Sequence, residues 1–135
     1  EFYGMGAGTG RPDWLVVLVR AAAADEARVR EVPNHGDFRS ANLLGDRGGL
    51  SGVIDWSEAS RGSRERDMGS VDSRSLPFVL EGYRGAGGIV EPMLVLGHLA
   101  ARYGALSQMG VLDPTVALRA VADAVAILLP SGVPS

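Results

Sequence analysis

Two short apolar segments on either side of a glycine-containing turn constrain this chain more than any other feature. Leu43-Leu44 and residues 50–54 have the composition of β-strands, and Asp46-Arg47-Gly48-Gly49 between them supplies the residue types of a tight turn. We therefore expect a β-hairpin here. Because a hairpin returns the chain to where it began, Asn42 and Asp55, which flank it, should lie close together in space.

Polar residues suited to phosphoryl transfer flank the predicted hairpin. The segment supplies a carboxylate at Asp37, an amide five residues later at Asn42, and a second carboxylate at Asp55. Phosphoryl transfer needs one group that takes or orients a hydroxyl proton, and oxygen ligands that hold magnesium on a nucleotide. The alternative interpretation is a chance grouping, because Asn and Asp favour loops for their own turn chemistry.

Composition narrows the possible function classes. A chain of 135 residues fits one domain, and the absence of cysteine excludes disulfides, zinc–thiolate sites and thiol nucleophiles. A net charge of −3 with no basic stripe argues against a nucleic-acid partner. No apolar segment reaches the roughly 18 residues of a membrane span, so we expect no membrane association and a cytoplasmic location.

The remaining segments indicate helices and loops. Residues 1–12 form a glycine-rich start that we expect to be flexible, and residues 57–67 are polar and predicted as a loop. Apolar periodicity favours a helix over 13–31, with Asp13 as its N-cap and Pro33 as its stop. Later helices are predicted over 71–83, over 90–107, and between the N-cap Asp113 and Pro130, before a tail at 130–135. The predicted fold class is α+β and mostly α.

The two flanking segments, HGDFRSANLL and GVIDWSEAS, together resemble the aminoglycoside phosphotransferase and choline kinase-like family, which is related to the protein kinases. That family carries a His-Gly-Asp loop with an asparagine five residues after the aspartate, and a hydrophobic strand that ends in Ile-Asp-Trp. The resemblance implies the C-terminal lobe of a protein-kinase-like phosphotransferase at residues 13–129. Within it, residues 33–56 would form the catalytic loop and metal hairpin, and residues 71–129 the helical acceptor-binding part.

The resemblance also implies a role for each polar residue of the site. Asp37 would be the catalytic base, and Asn42 and Asp55 would bind Mg²⁺ that bridges the phosphates of ATP or GTP. His35 would brace the loop, and Asp67 would steady it from the start of a helix. The acceptor would be a hydroxyl on an aminoglycoside-like antibiotic or a similar small molecule, which implies a role in antibiotic resistance.

The chain departs from the family pattern in two places. Arg39-Ser40-Ala41 stands where the family usually has His-Pro-Gly, and Arg39 could meet a phosphate or pair with an acidic neighbour. The family also places a β-rich N-terminal lobe with a lysine before this region. Only 34 residues precede His35, and all 13 residues in the Lys+Arg count are arginine. We therefore expect a C-terminal lobe alone, which would need an N-lobe partner or a second copy for turnover.

Two other functions stay open on the sequence. The chain could be a catalytically incompetent fragment or pseudo-kinase that acts as a binding module or as half of a split assembly. It could also be a metal-dependent hydrolase that uses the carboxylates of Asp37 and Asp55, although no further ligand set is evident.

Overall fold

The computed structural model describes residues 12–28 and 32–134. Its helices are α1 (Asp13–Glu26), α2 (Arg64–Met68), α3 (Leu76–Gly85), α4 (Pro92–Gln108) and α5 (Pro114–Leu128). Its strands are β1 (Val32–Asn34), β2 (Leu43–Asp46), β3 (Gly49–Val53) and β4 (Ser60–Gly62), and a single 3₁₀ turn covers Ser40–Asn42. The predicted α+β, mostly α class is confirmed. The first eleven residues of the expected glycine-rich start lie outside the described residues.

The core is built around α4, which is apolar on nearly all of its faces and therefore buried. Every residue of the α4 segment 94–100 is buried, and both α1 and α5 pack against this helix. Gly97 permits the close approach of α1, because a Cβ at this position would overlap the carbonyl oxygen of Leu18. None of the helices in the described part of the chain is both long enough and apolar enough to cross a membrane.

The two predicted N-caps have different outcomes. The Asp113 carboxylate accepts hydrogen bonds from the backbone N–H groups of Thr115 at 2.8 Å and Val116 at 3.3 Å, so the predicted cap of α5 is confirmed. Asp13 instead lies inside the first turn of α1, where Pro12 is the N-cap and no side chain caps the helix. An acidic residue still suits this position, because the first turn carries partial positive charge.

Helix α1 is shorter than its sequence indicates. It ends at Glu26, so the predicted extension is wrong for Ala27 and Arg28, while residues 29–31 lie outside the described part. The last turn of α1 is held by contacts with distant elements: the Asp25 carboxylate accepts a hydrogen bond from Ser63 and lies 2.8 Å from Nε2 of His98 on α4. Such long-range contacts leave no mark on local periodicity.

The predicted hairpin is confirmed. Strands β2 and β3 pair antiparallel, with Leu43 opposite Val53, and a register shift follows Leu44. The turn is stabilised by the Asp46 carboxylate, which accepts the backbone N–H of Gly48 at 2.8 Å. Gly49 has φ +110°, a conformation that glycine adopts without the Cβ penalty of other residues.

The predicted loop over 57–67 is wrong for much of its length. Residues 60–62 form β4, which pairs antiparallel with β1, and α2 begins at Arg64. Ser63 is the N-cap of α2, and its hydroxyl accepts the backbone N–H of Arg66 at 3.2 Å. The polar composition gave no sign of either element. Strand β4 depends on pairing with β1, which is distant in the sequence, and α2 is only five residues long.

Helix α3 begins five residues later than predicted, at Leu76. Val71 is 3% exposed and belongs to the core cluster, but the chain turns at Asp72, whose carbonyl accepts the N–H groups of Ser75 and Leu76. At the other end of the chain, Leu129 and Val133 follow α5 and pack partly buried against the core.

Candidate active site

The aspartate and the asparagine of loop 35–42 are in direct contact. The Asn42 side-chain nitrogen Nδ2 donates to the Asp37 carbonyl at 2.8 Å and to the Asp37 carboxylate oxygen Oδ2 at 3.1 Å. The 3₁₀ turn Ser40–Asn42 reverses the chain and leaves Asn42 6% exposed. Both donors of the amide group serve Asp37, so its oxygen Oδ1 remains as an acceptor.

The hairpin brings Asp55 to the end of the same loop. Beyond the last strand pair, the backbone N–H of Ile54 donates to the carbonyl of Asn42 at 2.9 Å, so Asp55 follows a residue that is paired with Asn42. The fold-back that the sequence predicted is therefore present. The hairpin, with four residues in β2 and five in β3, thus brings the segment that carries Asp55 back to Asn42.

Asp55 adopts an uncommon backbone conformation. Its φ is 59°, the left-handed region, and it is the one non-glycine residue with positive φ in the described part of the chain. For a non-glycine residue this conformation costs roughly 1–2 kcal/mol, and such strain concentrates at functional sites. Hydrogen bonds from the hydroxyl of Ser57 at 2.6 Å and from its backbone N–H hold the pKa of the Asp55 carboxyl below its usual 3.8.

His35 joins the loop to the end of the hairpin. Its ring is 3% exposed; Nδ1 accepts the backbone N–H of Asp37 at 3.1 Å, and Nε2 lies 2.8 Å from the carbonyl of Ile54. Because a backbone N–H can only donate, Nδ1 carries no proton, and Nε2 donates to the carbonyl. The ring also packs on Trp56, with centroids 4.5 Å apart. His35 therefore contacts Asp37 itself and the residues on both sides of Asp55.

Asp67 holds the start of the loop from α2. Its carboxylate accepts the backbone N–H of His35 at 2.7 Å and that of Gly36 at 2.9 Å, one on each oxygen. Gly36 has φ +91°, and a Cβ there would overlap the carbonyl of Glu58, so only glycine fits. The resemblance implied the start of a helix at Asp67, whereas the polar composition of residues 57–67 predicted a loop.

The departures from the family pattern make contacts of their own. The guanidinium Nε of Arg39 lies 3.0 Å from Asp37 Oδ1, so Arg39 pairs with the acidic neighbour. The Ser40 hydroxyl donates to the Asp72 carboxylate at 3.2 Å, across 32 residues of sequence. Burial raises the pKa of Asp72, but hydrogen bonds from Ser75 and Ser40 outweigh it, so the pKa lies below its usual 3.8. Sequence reasoning missed Asp72, since nothing local marks it.

A model of the phosphotransferase enzyme family matches residues 8–78, more than half of the 135-residue chain. The chain belongs to this phosphotransferase family. The matched range contains loop 35–42, the hairpin and α2, and the resemblance drawn from the sequence is confirmed. Searches of curated proteins and of solved structures found no match.

The oxygen donors of this phosphotransferase suit a hard cation. Asp55 is an exposed carboxylate and Asn42 offers an amide oxygen, and Mg²⁺ is commonly bound by one or two such groups together with water and substrate phosphates. Among residues 12–28 and 32–134 there is no cluster of three or more His, Cys, Asp or Glu side chains arranged to hold a metal ion. A magnesium ion here would therefore depend on the nucleotide phosphates for much of its coordination.

Proposed function

We propose that this phosphotransferase transfers the γ-phosphate of ATP, or of GTP, to a hydroxyl group of a small molecule. The observation that carries the proposal is the pairing of loop 35–42 with the hairpin end. Asn42 binds Asp37 through its side chain and Ile54 through its backbone, so one residue links the base to the segment that carries Asp55. In-line phosphoryl transfer depends mainly on such positioning.

Asp37 is proposed as the base that accepts the proton of the acceptor hydroxyl. Its side chain is 27% exposed, so an acceptor can reach it. Asn42 on Oδ2 and Arg39 on Oδ1 fix the plane of the carboxylate. Each oxygen retains a further acceptor position, which is sufficient for one hydrogen bond from a hydroxyl.

Asn42 Oδ1 and the Asp55 carboxylate are proposed as the protein ligands of Mg²⁺. The ion, when bound, neutralises charge on the nucleotide phosphates. The Ser57 hydrogen bonds favour the ionised form of Asp55 and so keep it a ligand at neutral pH. His35 and Asp67 are proposed as the residues that hold loop 35–42 in this arrangement, through the contacts described above.

An aminoglycoside-like antibiotic or a similar polyhydroxyl compound is proposed as the acceptor, with residues 71–129 providing its binding surface. Support comes from Asp72, a carboxylate with a lowered pKa that is tied to loop 35–42 through Ser40 and begins this region. An ionised carboxylate there favours an acceptor that carries amino groups. A cytoplasmic role in antibiotic resistance follows from that acceptor class.

The test is acceptor-dependent ADP or GDP release. The wild-type protein is incubated with Mg²⁺ and either nucleotide, alone and together with a family N-lobe supplied as a separate polypeptide, with and without aminoglycosides, macrolides, choline and simple sugars. Removal of a general base costs about a hundredfold or more, so we expect Asp37→Asn to lose at least that much. Asp13→Asn, at an exposed position in the first turn of α1, is the matched control and should retain full activity. Activity that survives Asp37→Asn would refute the assignment.

A second candidate function is a binding module, or one half of an assembly that is catalytic only when complete. It is favoured by the exposed apolar side chains of the hairpin region: Leu44 is 47%, Leu50 67% and Trp56 56% exposed. Exposed apolar groups beside a site are often covered by another polypeptide, here an N-lobe or a second copy. Light scattering of the protein alone and with a family N-lobe tests this. A monomer that does not bind the N-lobe argues against it.

A further inference from the structure

Arg39 is the permanent cation of loop 35–42. The loop contains two basic residues, His35 and Arg39. The His35 ring is 3% exposed, and both of its nitrogens are occupied by hydrogen bonds with the backbone. Arg39, by contrast, is always protonated and its side chain is 46% exposed. Of these two residues, Arg39 is therefore the one that an incoming phosphate can reach.

The charge of Arg39 lies on the proposed base. Its Nε contacts the Asp37 carboxylate directly at 3.0 Å. The backbone N–H of Ile54 donates to the carbonyl of Asn42 at 2.9 Å, so the segment that carries the proposed metal ligand Asp55 begins at the end of the same loop. A phosphoryl group that passes from a metal-bound nucleotide to a hydroxyl on Asp37 must therefore pass near this guanidinium.

The stability of the loop does not account for this contact. Pairs with one partner 46% and the other 27% exposed contribute roughly 0–1 kcal/mol. The loop is already held by Asp67 on two backbone N–H groups, by His35 and by Asn42. The ion pair also uses only Nε, and a guanidinium has five N–H donors, so its terminal nitrogens can bind a second group.

We propose that Arg39 binds the phosphate chain of the nucleotide through its terminal guanidinium nitrogens while its Nε holds Asp37. This inference rests on the proposed function and adds to it a further substrate-binding residue. Arginine suits the task, because its planar fork matches phosphate oxygens and keeps its charge at any physiological pH. Because Asp37 and the transferred phosphate would then both contact Arg39, this side chain would align the base with the phosphate.

Calorimetric titration with Mg²⁺–tripolyphosphate tests the proposal, because this probe carries the phosphate chain without a nucleoside or an acceptor. Arg39→Gln removes the charge and retains hydrogen-bonding capacity. A charge-assisted hydrogen bond of typical strength predicts binding that is weaker by about tenfold or more. Arg39→Lys, which keeps the charge but not the fork, should lose less. Arg47→Gln, at the exposed hairpin turn, is the matched control and should bind as the wild type does.

The outcomes separate this inference from the function on which it rests. If Asp55→Asn weakens binding but Arg39→Gln does not, the metal site stands and the role of Arg39 is refuted. If Arg39→Gln weakens binding and Asp55→Asn does not, the role of Arg39 stands and the metal assignment fails. Wild-type protein that does not bind Mg²⁺–tripolyphosphate would refute both. Circular dichroism of each variant establishes that the fold is retained.

Discussion

The helical core and the catalytic edge are held together by different forces. In the core, fully buried apolar side chains such as Leu18, Leu99 and Val121 pack around α4. At the edge, loop 35–42 and the hairpin are fixed by hydrogen bonds from side chains to backbone, while the apolar groups of the hairpin are exposed. The core therefore determines stability, and the edge determines where a few polar atoms lie.

The largest difference between the two regions should appear in matched leucine truncations. Leu99 is 0% exposed on α4, so Leu99→Ala should lower the free energy of unfolding by about 2–5 kcal/mol, through lost burial and a cavity. Leu50 is 67% exposed on β3, so Leu50→Ala should change it by less than about 0.5 kcal/mol. Urea unfolding measures both. Equal losses would show that the hairpin is part of the core.

An intermediate effect is expected where the core supports the edge. Asp67→Ala removes the acceptor of the part-buried His35 and Gly36 N–H groups, so the free energy of unfolding should fall by roughly 1–3 kcal/mol in total. Hydrogen exchange should accelerate at both amides while α4 amides keep their protection. Asp123→Ala, at an exposed position of α5, is the control and should change neither the free energy of unfolding nor the exchange of these amides. Unchanged exchange at Gly36 would mean that Asp67 does not hold the loop.

The smallest effect concerns the Asp55 carboxyl. Ser57→Ala removes the hydroxyl that contributes most to its lowered pKa, so the pKa of Asp55 should rise toward its usual 3.8. Because the pKa is depressed in the folded protein, the stabilisation is present above pH 3.8 and is lost as the pH falls through the folded value. Carboxyl ¹³C NMR titration measures the change, with Ser51→Ala as control. Identical titration curves for wild type and Ser57→Ala would contradict the cause assigned here.

The two regions also differ in how far sequence could predict them. Helical periodicity indicated α4 and α5, and a side-chain cap marked the start of α5 at Asp113. At the edge, the turn at Gly48-Gly49 sufficed to predict the hairpin and hence the proximity of Asp55 to the loop. Local signals were strong enough in these places because each element carries its own apolar periodicity, cap or turn residues.

Sequence failed where an element depends on a distant partner. Strand β4 pairs with β1 over a long sequence separation, from Asn34 with Ser60 to Val32 with Gly62, and the polar composition of β4 predicted a loop. The Asp72 carboxylate accepts a hydrogen bond from Ser40, and the Asp25 carboxylate, in the last turn of α1, lies beside His98. Neither contact follows a local sequence pattern. The candidate site residues were found by motif, but the elements that support them required the three-dimensional structure.

The most direct test of the central claim is whether Asn42 and Asp55 share one metal ion. With ATP present, paramagnetic Mn²⁺ in place of Mg²⁺ should broaden the Asn42 side-chain amide and Asp55 backbone amide signals in ¹H–¹⁵N NMR spectra. We expect Asp55→Asn to abolish this broadening and Asp46→Asn, at the hairpin turn, to retain it. Broadening confined to other residues, or unchanged by Asp55→Asn, would contradict the account.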